Sequence, residues 1–181
     1  MEPPDKIELE ARVALAAFKK GDSKGMRMLL ECLGPRVYSF LKSLMGSAQD
    51  AEDVMQETFS TIFQKAQQQN PALGSVRGWV YAIAKNHALQ ILRRRAPGRQ
   101  NSPQVSGNPQ DPAVIAEKKA TMESLDKAIQ ALPLELKLPF LMRECLGLTY
   151  SQIGELIEKN DNQVASDIFR ARNQIRDILK E

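Results

Sequence analysis

Between Thr58 and Gln110 the chain carries seven lysines and arginines and no acidic residue, directly after a decapeptide, Asp50 to Phe59, that holds four carboxylates. Side chains of these types bind rather than catalyse: clustered cations grip phosphates, and a row of carboxylates meets the basic groups of a partner. Their spacing has a pattern. Val76, Val80, Ile83, His87 and Ile91 recur at steps of three to four, and Arg77, Tyr81, Lys85 and Arg95 fall within one sector of the other side. One helix is therefore expected to bury an apolar stripe and present a cationic one. No paired general acid and base, no nucleophile with a histidine and no metal-ligand cluster can be assembled, so an enzyme has no support and no cofactor or small-molecule substrate is expected. One histidine and no Cys-X-X-Cys argue against zinc, and Cys32 and Cys145, each in an apolar helical context, read as small buried thiols.

The elements that must position these groups are all helical. At 181 residues the chain suits two small domains. Its net charge of +3 divides unevenly, with the excess of cations in the middle and slightly acidic segments on either side. No basic leader precedes an apolar core at the N-terminus, and no apolar run approaches the roughly 20 residues that cross a bilayer, so a cytoplasmic protein without membrane insertion is expected. Ile7, Ala11, Leu15 and Phe18 mark a first helix, and Met26, Leu29, Leu30 and Leu33 a second. Pro35 suits the start of a third, with Val37, Leu41 and Leu44, closed by Gly46. Asp50 opens a fourth, with an apolar stripe of Met55, Phe59, Ile62, Phe63 and Ala66, and leaves Asp53, Gln56, Glu57 and Gln64 outward. Ser75 caps a fifth, running to about Arg95.

Between Ala96 and Pro112 lie four prolines and two glycines without an aromatic residue, a composition that reads as a flexible linker over 97–112. Helices return beyond it. Thr149 with Gln152, and Asn160 with Gln163, have the spacing of capping boxes, and they bracket a short helix, a tight turn and a longer polar-faced helix. That is a helix-turn-helix pattern. The fold class expected is all-α, two small helical domains joined by a flexible linker.

Asp50 to Phe59 (DAEDVMQETF), Gly78 to Asn86 (GWVYAIAKN), Arg93 to Arg95, Leu132-Pro133, Glu144 to Ile153 (ECLGLTYSQI) and Arg170-Ala171-Arg172, in this order, resemble the bacterial RNA polymerase sigma factors of the extracytoplasmic-function type. The resemblance implies sigma region 2 over residues 1–96 and sigma region 4 over residues 113–181. It implies a core-polymerase face at Asp50, Glu52, Asp53, Gln56 and Glu57, docking on the clamp helices of the largest subunit. It implies promoter contacts to the minus-ten element from Arg77, Tyr81, Lys85, Asn86, Arg93, Arg94 and Arg95, with Asn86 at the position associated with a flipped base. Contacts to the minus-35 element are implied for Asn162, Gln163, Ser166, Arg170 and Arg172, with Gln163 suited to adenine. It further implies an anti-sigma partner that holds the factor inactive.

Some positions depart from the family pattern. Gln69 stands where an aromatic residue often precedes the Asn-Pro pair. Trp79 reads as a core residue ahead of a base contact, and His87 as structural. Ala165 and Asp167 replace two cations of the recognition helix, and Asp167 would be repelled by a phosphate backbone unless it accepts from a cytosine amino group. Weak or unusually specific minus-35 binding is the expectation. The same two residues motivate the competing reading of a sigma mimic that titrates an anti-sigma factor or core polymerase without productive promoter binding.

Overall fold

The computed structural model describes residues 4–70, 74–94 and 112–180, and among these it contains eight α-helices and no strand. Helices α1 (Pro4–Lys19), α2 (Lys24–Met45), α3 (Ala48–Lys65) and α4 (Val76–Arg94) form one bundle, with a 3₁₀ turn at Ala66–Gln68. Helices α5 (Pro112–Ala131), α6 (Leu134–Glu144), α7 (Tyr150–Ile157) and α8 (Asp161–Ile178) form the second. The linker expected over 97–112 lies outside the described residues, apart from Pro112, the first residue of α5.

Ile7, Ala11, Ala14 and Leu15 of α1 are buried along the stripe that the spacing predicts, against α2. The two helices touch closely at Gly25, where a Cβ would lie 2.4 Å from the Phe18 amide nitrogen, so only glycine fits there.

The second and third helices expected from sequence are one. Pro35 sits inside α2, exposed, and the helix runs through it to the left-handed residue Gly46. A proline in a helix interior costs about 3 kcal/mol. Leu29, Leu33, Val37, Phe40, Leu41 and Leu44 on both sides of it are fully or almost fully buried. At roughly 1.5–3 kcal/mol for each large side chain, that burial outweighs the break.

In α3 the buried line is Ala51, Val54, Thr58 and Ile62, continued by Ala66; of the expected stripe Ile62 and Ala66 are buried, whereas Met55, Phe59 and Phe63 are not. Met55 and Phe59 flank the core, and Phe63 is 60% exposed, resting on the Phe18 ring at 5.1 Å between centroids. Small residues let α3 sit close to α2, and Thr58 satisfies its hydroxyl on the Val54 carbonyl at 2.7 Å. The helix starts before Asp50, at Ala48, with the Ser47 hydroxyl accepting from the Asp50 amide.

The second bundle packs Ala128 and Ile129 of α5, Leu132 just after it and most of α6 against Val164, Ile168, Ala171 and Ile175 of α8. Both expected capping boxes are present. Thr149 and Gln152 cap α7, and Asn160 and Gln163 cap α8.

Candidate nucleic-acid interface

The N-terminus of α4 is fixed from 68 residues away. Both carboxylate oxygens of Glu8 accept backbone amides, Val76 N at 2.9 Å and Arg77 N at 3.0 Å, while Ser75 Oγ accepts from Gly78 N at 2.9 Å. Three of the amides that a helix leaves orphaned are thereby satisfied, and the carboxylate opposes the positive end of the helix dipole. The sequence reading found Ser75 and missed Glu8.

Two residues of the expected cationic stripe are in the core. Arg77 is 4% and Tyr81 0% exposed, and with Val76, Val80, Ala84 and Ala88 they make the buried face of α4. The stripe assigned to the core was correct at Val76 and Val80 but turned too far, because Ile83, His87 and Ile91 lie at its partly buried margin. Burial pushes the Tyr81 phenol up to about 12, an effect that the nearby Arg77 and Arg36 charges only partly offset. Neither side chain is offered to solvent in this arrangement, contrary to the expected outward stripe.

The outward line of α4 is Trp79, Ala82, Asn86 and Arg93, with Asn86, Arg93 and Arg94 exposed. Arg95 lies outside the described residues. Trp79 is partly buried at the margin of the core and also lines a cleft of about 450 Å³ with Gln69, Asn70 and Ser75. His87 ties α4 to α3, with Nε2 3.1 Å from Thr61 Oγ1 and Nδ1 3.6 Å from Glu57 Oε2.

On α3, Glu52, Asp53, Gln56 and Glu57 are all exposed and Asp50 is partly buried. They form one acidic surface on the helix adjacent to α4.

Lys85 is engaged elsewhere. Its ammonium donates to the Leu156 carbonyl at the end of α7, at 2.6 Å. Burial lowers its pKa, partly offset by Glu158. A second bond between the bundles runs from Gln130 Nε2 to the Ser43 carbonyl at 2.6 Å. The two bundles are therefore docked, and the far wall of the Trp79 cleft is completed by Leu148 ahead of α7 and by Gln152 and Leu156 of α7.

On α8, Asn162, Gln163, Ser166, Arg170 and Arg172 are exposed as expected, but two of them are committed. Gln163 Oε1 accepts the Asn160 amide at 3.0 Å, so the capping box fixes where the carboxamide points and leaves one oxygen lone pair and the amide hydrogens for a base. Arg172 bonds Glu144 of α6 at 2.7 Å, and that carboxylate raises its pKa.

Asp167 does not face outward. It is 9% exposed and its Oδ2 lies 2.5 Å from the Lys159 ammonium, with Arg170 3.9 Å from the other oxygen. The middle of the exposed face instead carries Phe169, 64% exposed, in line with Asn162, Ser166 and Asn173. An aromatic residue amid polar ones at that spacing was a signal available in the sequence. Among the described residues no group of three His, Cys, Asp or Glu could hold a metal, and no helix is long and apolar enough to cross a membrane.

The chain matches the Sigma-70 region 2 family over residues 29–97 and the Sigma-70 region 4 family over residues 122–175, which are α2 to α4 and most of α5 to α8. It is 32% identical over 149 residues to the ECF RNA polymerase sigma factor SigE of Mycolicibacterium smegmatis, covering 80% of this chain and 57% of that protein. The chain thus spans little over half the length of that relative. The ECF RNA polymerase sigma-E factor of Salmonella typhimurium is 27% identical over 186 residues, covering 93% of both. Among solved structures, CnrH in complex with the cytosolic domain of CnrY superposes with a TM-score of 0.73 at 16% identity, over 94% of this chain and 97% of that one. The sigma factor RpoE of Bartonella quintana, solved with the anti-sigma factor NepR, gives 0.72 at 19% identity, over 87% and 98%.

Proposed function

The chain belongs to the extracytoplasmic-function sigma factors of bacterial RNA polymerase, and from that premise we propose that it recruits core polymerase to a set of promoters and helps to open them. The acidic surface of α3 binds the clamp helices of the largest subunit. The outward line of α4 lies on the minus-ten element: Asn86 holds an exposed base edge, Arg93 to Arg95 meet phosphates, and Trp79 borders the cleft into which a base could turn. Stacking and edge contacts of roughly 1–3 kcal/mol per base offset the cost of unpairing. The recognition helix α8 reads the minus-35 element through Asn162, Ser166, Phe169 and Arg170, and Phe169 suits a thymine methyl group. No bond is made or broken by the factor itself, and its place of work is the cytoplasm.

The observation that carries this reading is the pairing of faces within one bundle. The exposed acids of α3 and the amide and cation line of α4 sit on adjacent helices, so one rigid unit can hold polymerase and promoter together. Lys85 reaches DNA only once α7 withdraws, so the docked bundles must separate on the way to the promoter. A partner of the anti-sigma kind, such as the NepR captured with the Bartonella quintana relative, would act by holding them docked. Of the two residues that motivate the mimic reading, Asp167 is occupied by an intramolecular pair rather than aimed at phosphate, and Ala165 is partly buried.

Charge reversal tests the core face. Asp53→Lys with Glu57→Lys is expected to weaken binding to purified core polymerase at least about tenfold at low salt, because like charges across an interface cost several kcal/mol. Unchanged affinity in a variant with native circular dichroism would remove α3 from that role.

A further inference from the structure

The α7–α8 turn is tightly built. Glu158 adopts a left-handed conformation at φ 59°, the Lys159 amide bonds Gly154 O at 3.0 Å, and the Asn160 box fixes the first turn of α8. This geometry carries the Lys159 side chain back across the turn onto Asp167. Lys159 and Asp167 share the wall of a polar depression of about 410 Å³ at the start of α8 with Asn160, Asn162, Gln163 and Ser166. A lysine at the positive end of a helix is suited to a phosphate. Here Asp167 pairs with it at 2.5 Å, and Asp161 adds a second carboxylate in the first turn.

We propose that Asp167 is a specificity-determining residue, which holds Lys159 off the DNA backbone and removes a sequence-blind contact from the recognition helix. The proposal rests on α8 being the promoter-reading helix. Phosphate contacts add affinity for every sequence, whereas base-edge contacts separate one sequence from another. With Lys159 neutralised, recognition falls to Asn162, Ser166, Phe169 and Arg170, of which only the exposed Arg170 has a charge to offer a phosphate. Asp167 thus trades affinity for discrimination. The carboxylate is nearly buried and the lysine ammonium is only partly exposed, so the pair is less screened than a surface bridge.

The test uses the full chain and a random-sequence duplex of about three helical turns, followed by fluorescence anisotropy in KCl. Asp167→Asn keeps the shape and removes the charge. It is expected to raise affinity for the duplex and steepen the slope of log K against log salt by about 0.9, so that raising salt from about 50 to about 200 mM costs an additional three- to fourfold. Adding Lys159→Gln to that variant should return the slope to the parent value, and Lys159→Gln alone should leave it unchanged. An unaltered slope in Asp167→Asn, a gain that survives in the double variant, a slope lowered by Lys159→Gln alone, or no duplex binding by Asp167→Asn at about 50 mM would each overturn the proposal. Promoter-directed transcription with core polymerase is scored separately: a chain that shows the slope changes yet directs no transcription loses the sigma reading, while one that transcribes with unaltered slopes loses only the role of Asp167.

Discussion

Glu8 is the residue on which the geometry of α4 depends, and its removal has a calculable cost. Its carboxylate accepts two backbone amides at 2.9 and 3.0 Å and its side chain is only 17% exposed. Hydrogen bonds to a charged group are worth about 1.5–3 kcal/mol each, and not all of that is recovered when water reaches the freed amides. The bond from Arg12 to Glu8, at 2.7 Å with the arginine half exposed, adds little. Glu8→Ala should therefore cost about 2–4 kcal/mol, and Glu8→Gln about half as much, because an amide oxygen can still accept one bond without charge. With a urea m-value of about 2 kcal/mol/M, a loss of about 3 kcal/mol lowers the midpoint of the first bundle by about 1.5 M. Hydrogen exchange locates the effect, since the Val76 and Arg77 amides should lose protection while those in the middle of α2 keep it. Arg12→Ala serves as the control and should move the midpoint by no more than a few tenths of a molar. A Glu8→Ala protein with the parent midpoint and protected Val76 and Arg77 amides would refute the capping role.

Three further outcomes follow from the same geometry. Gly154→Ala would place a Cβ 2.3 Å from the Lys159 carbonyl oxygen, forcing the α7–α8 turn apart at about 1–3 kcal/mol or more, so footprinting of the holoenzyme should lose minus-35 protection while core binding persists. Tyr81→Phe should leave promoter binding unchanged, since Tyr81 is 0% exposed; reduced binding in run-off or footprint assays would return it to the DNA face. Tyr81 also gives stability a sign with pH. Between 10.0 and about 12 the folded chain keeps a proton that the unfolded chain has released, so stability should fall by up to about 1.4 kcal/mol per pH unit in that window, and Tyr81→Phe should flatten the slope in urea titrations.

What could be read from the sequence was local. The two capping boxes span four residues each and both formed. The acidic surface of α3 needed only helical periodicity. The errors share a physical origin in contacts that cross the chain. Pro35 signals a break to any local reading, and only the burial of the residues around it overrides that signal. Arg77 and Tyr81 were placed outward because arginine and tyrosine were assigned by polarity, yet α4 packs with that face inward. Asp167 and Gln163 were read as if free to meet DNA, whereas Lys159 and the Asn160 amide already hold them. Glu8 could not be found by spacing, because its partners are 68 and 69 residues away.

Run-off transcription tests the central claim most directly: purified bacterial core polymerase, with and without this protein, acts on sheared DNA from the source genome, and the 5′ ends are mapped. Discrete new transcripts that depend on the protein, with a shared element upstream of their starts, are the predicted result. A protein that binds core polymerase yet yields the same transcripts as core alone would contradict the account.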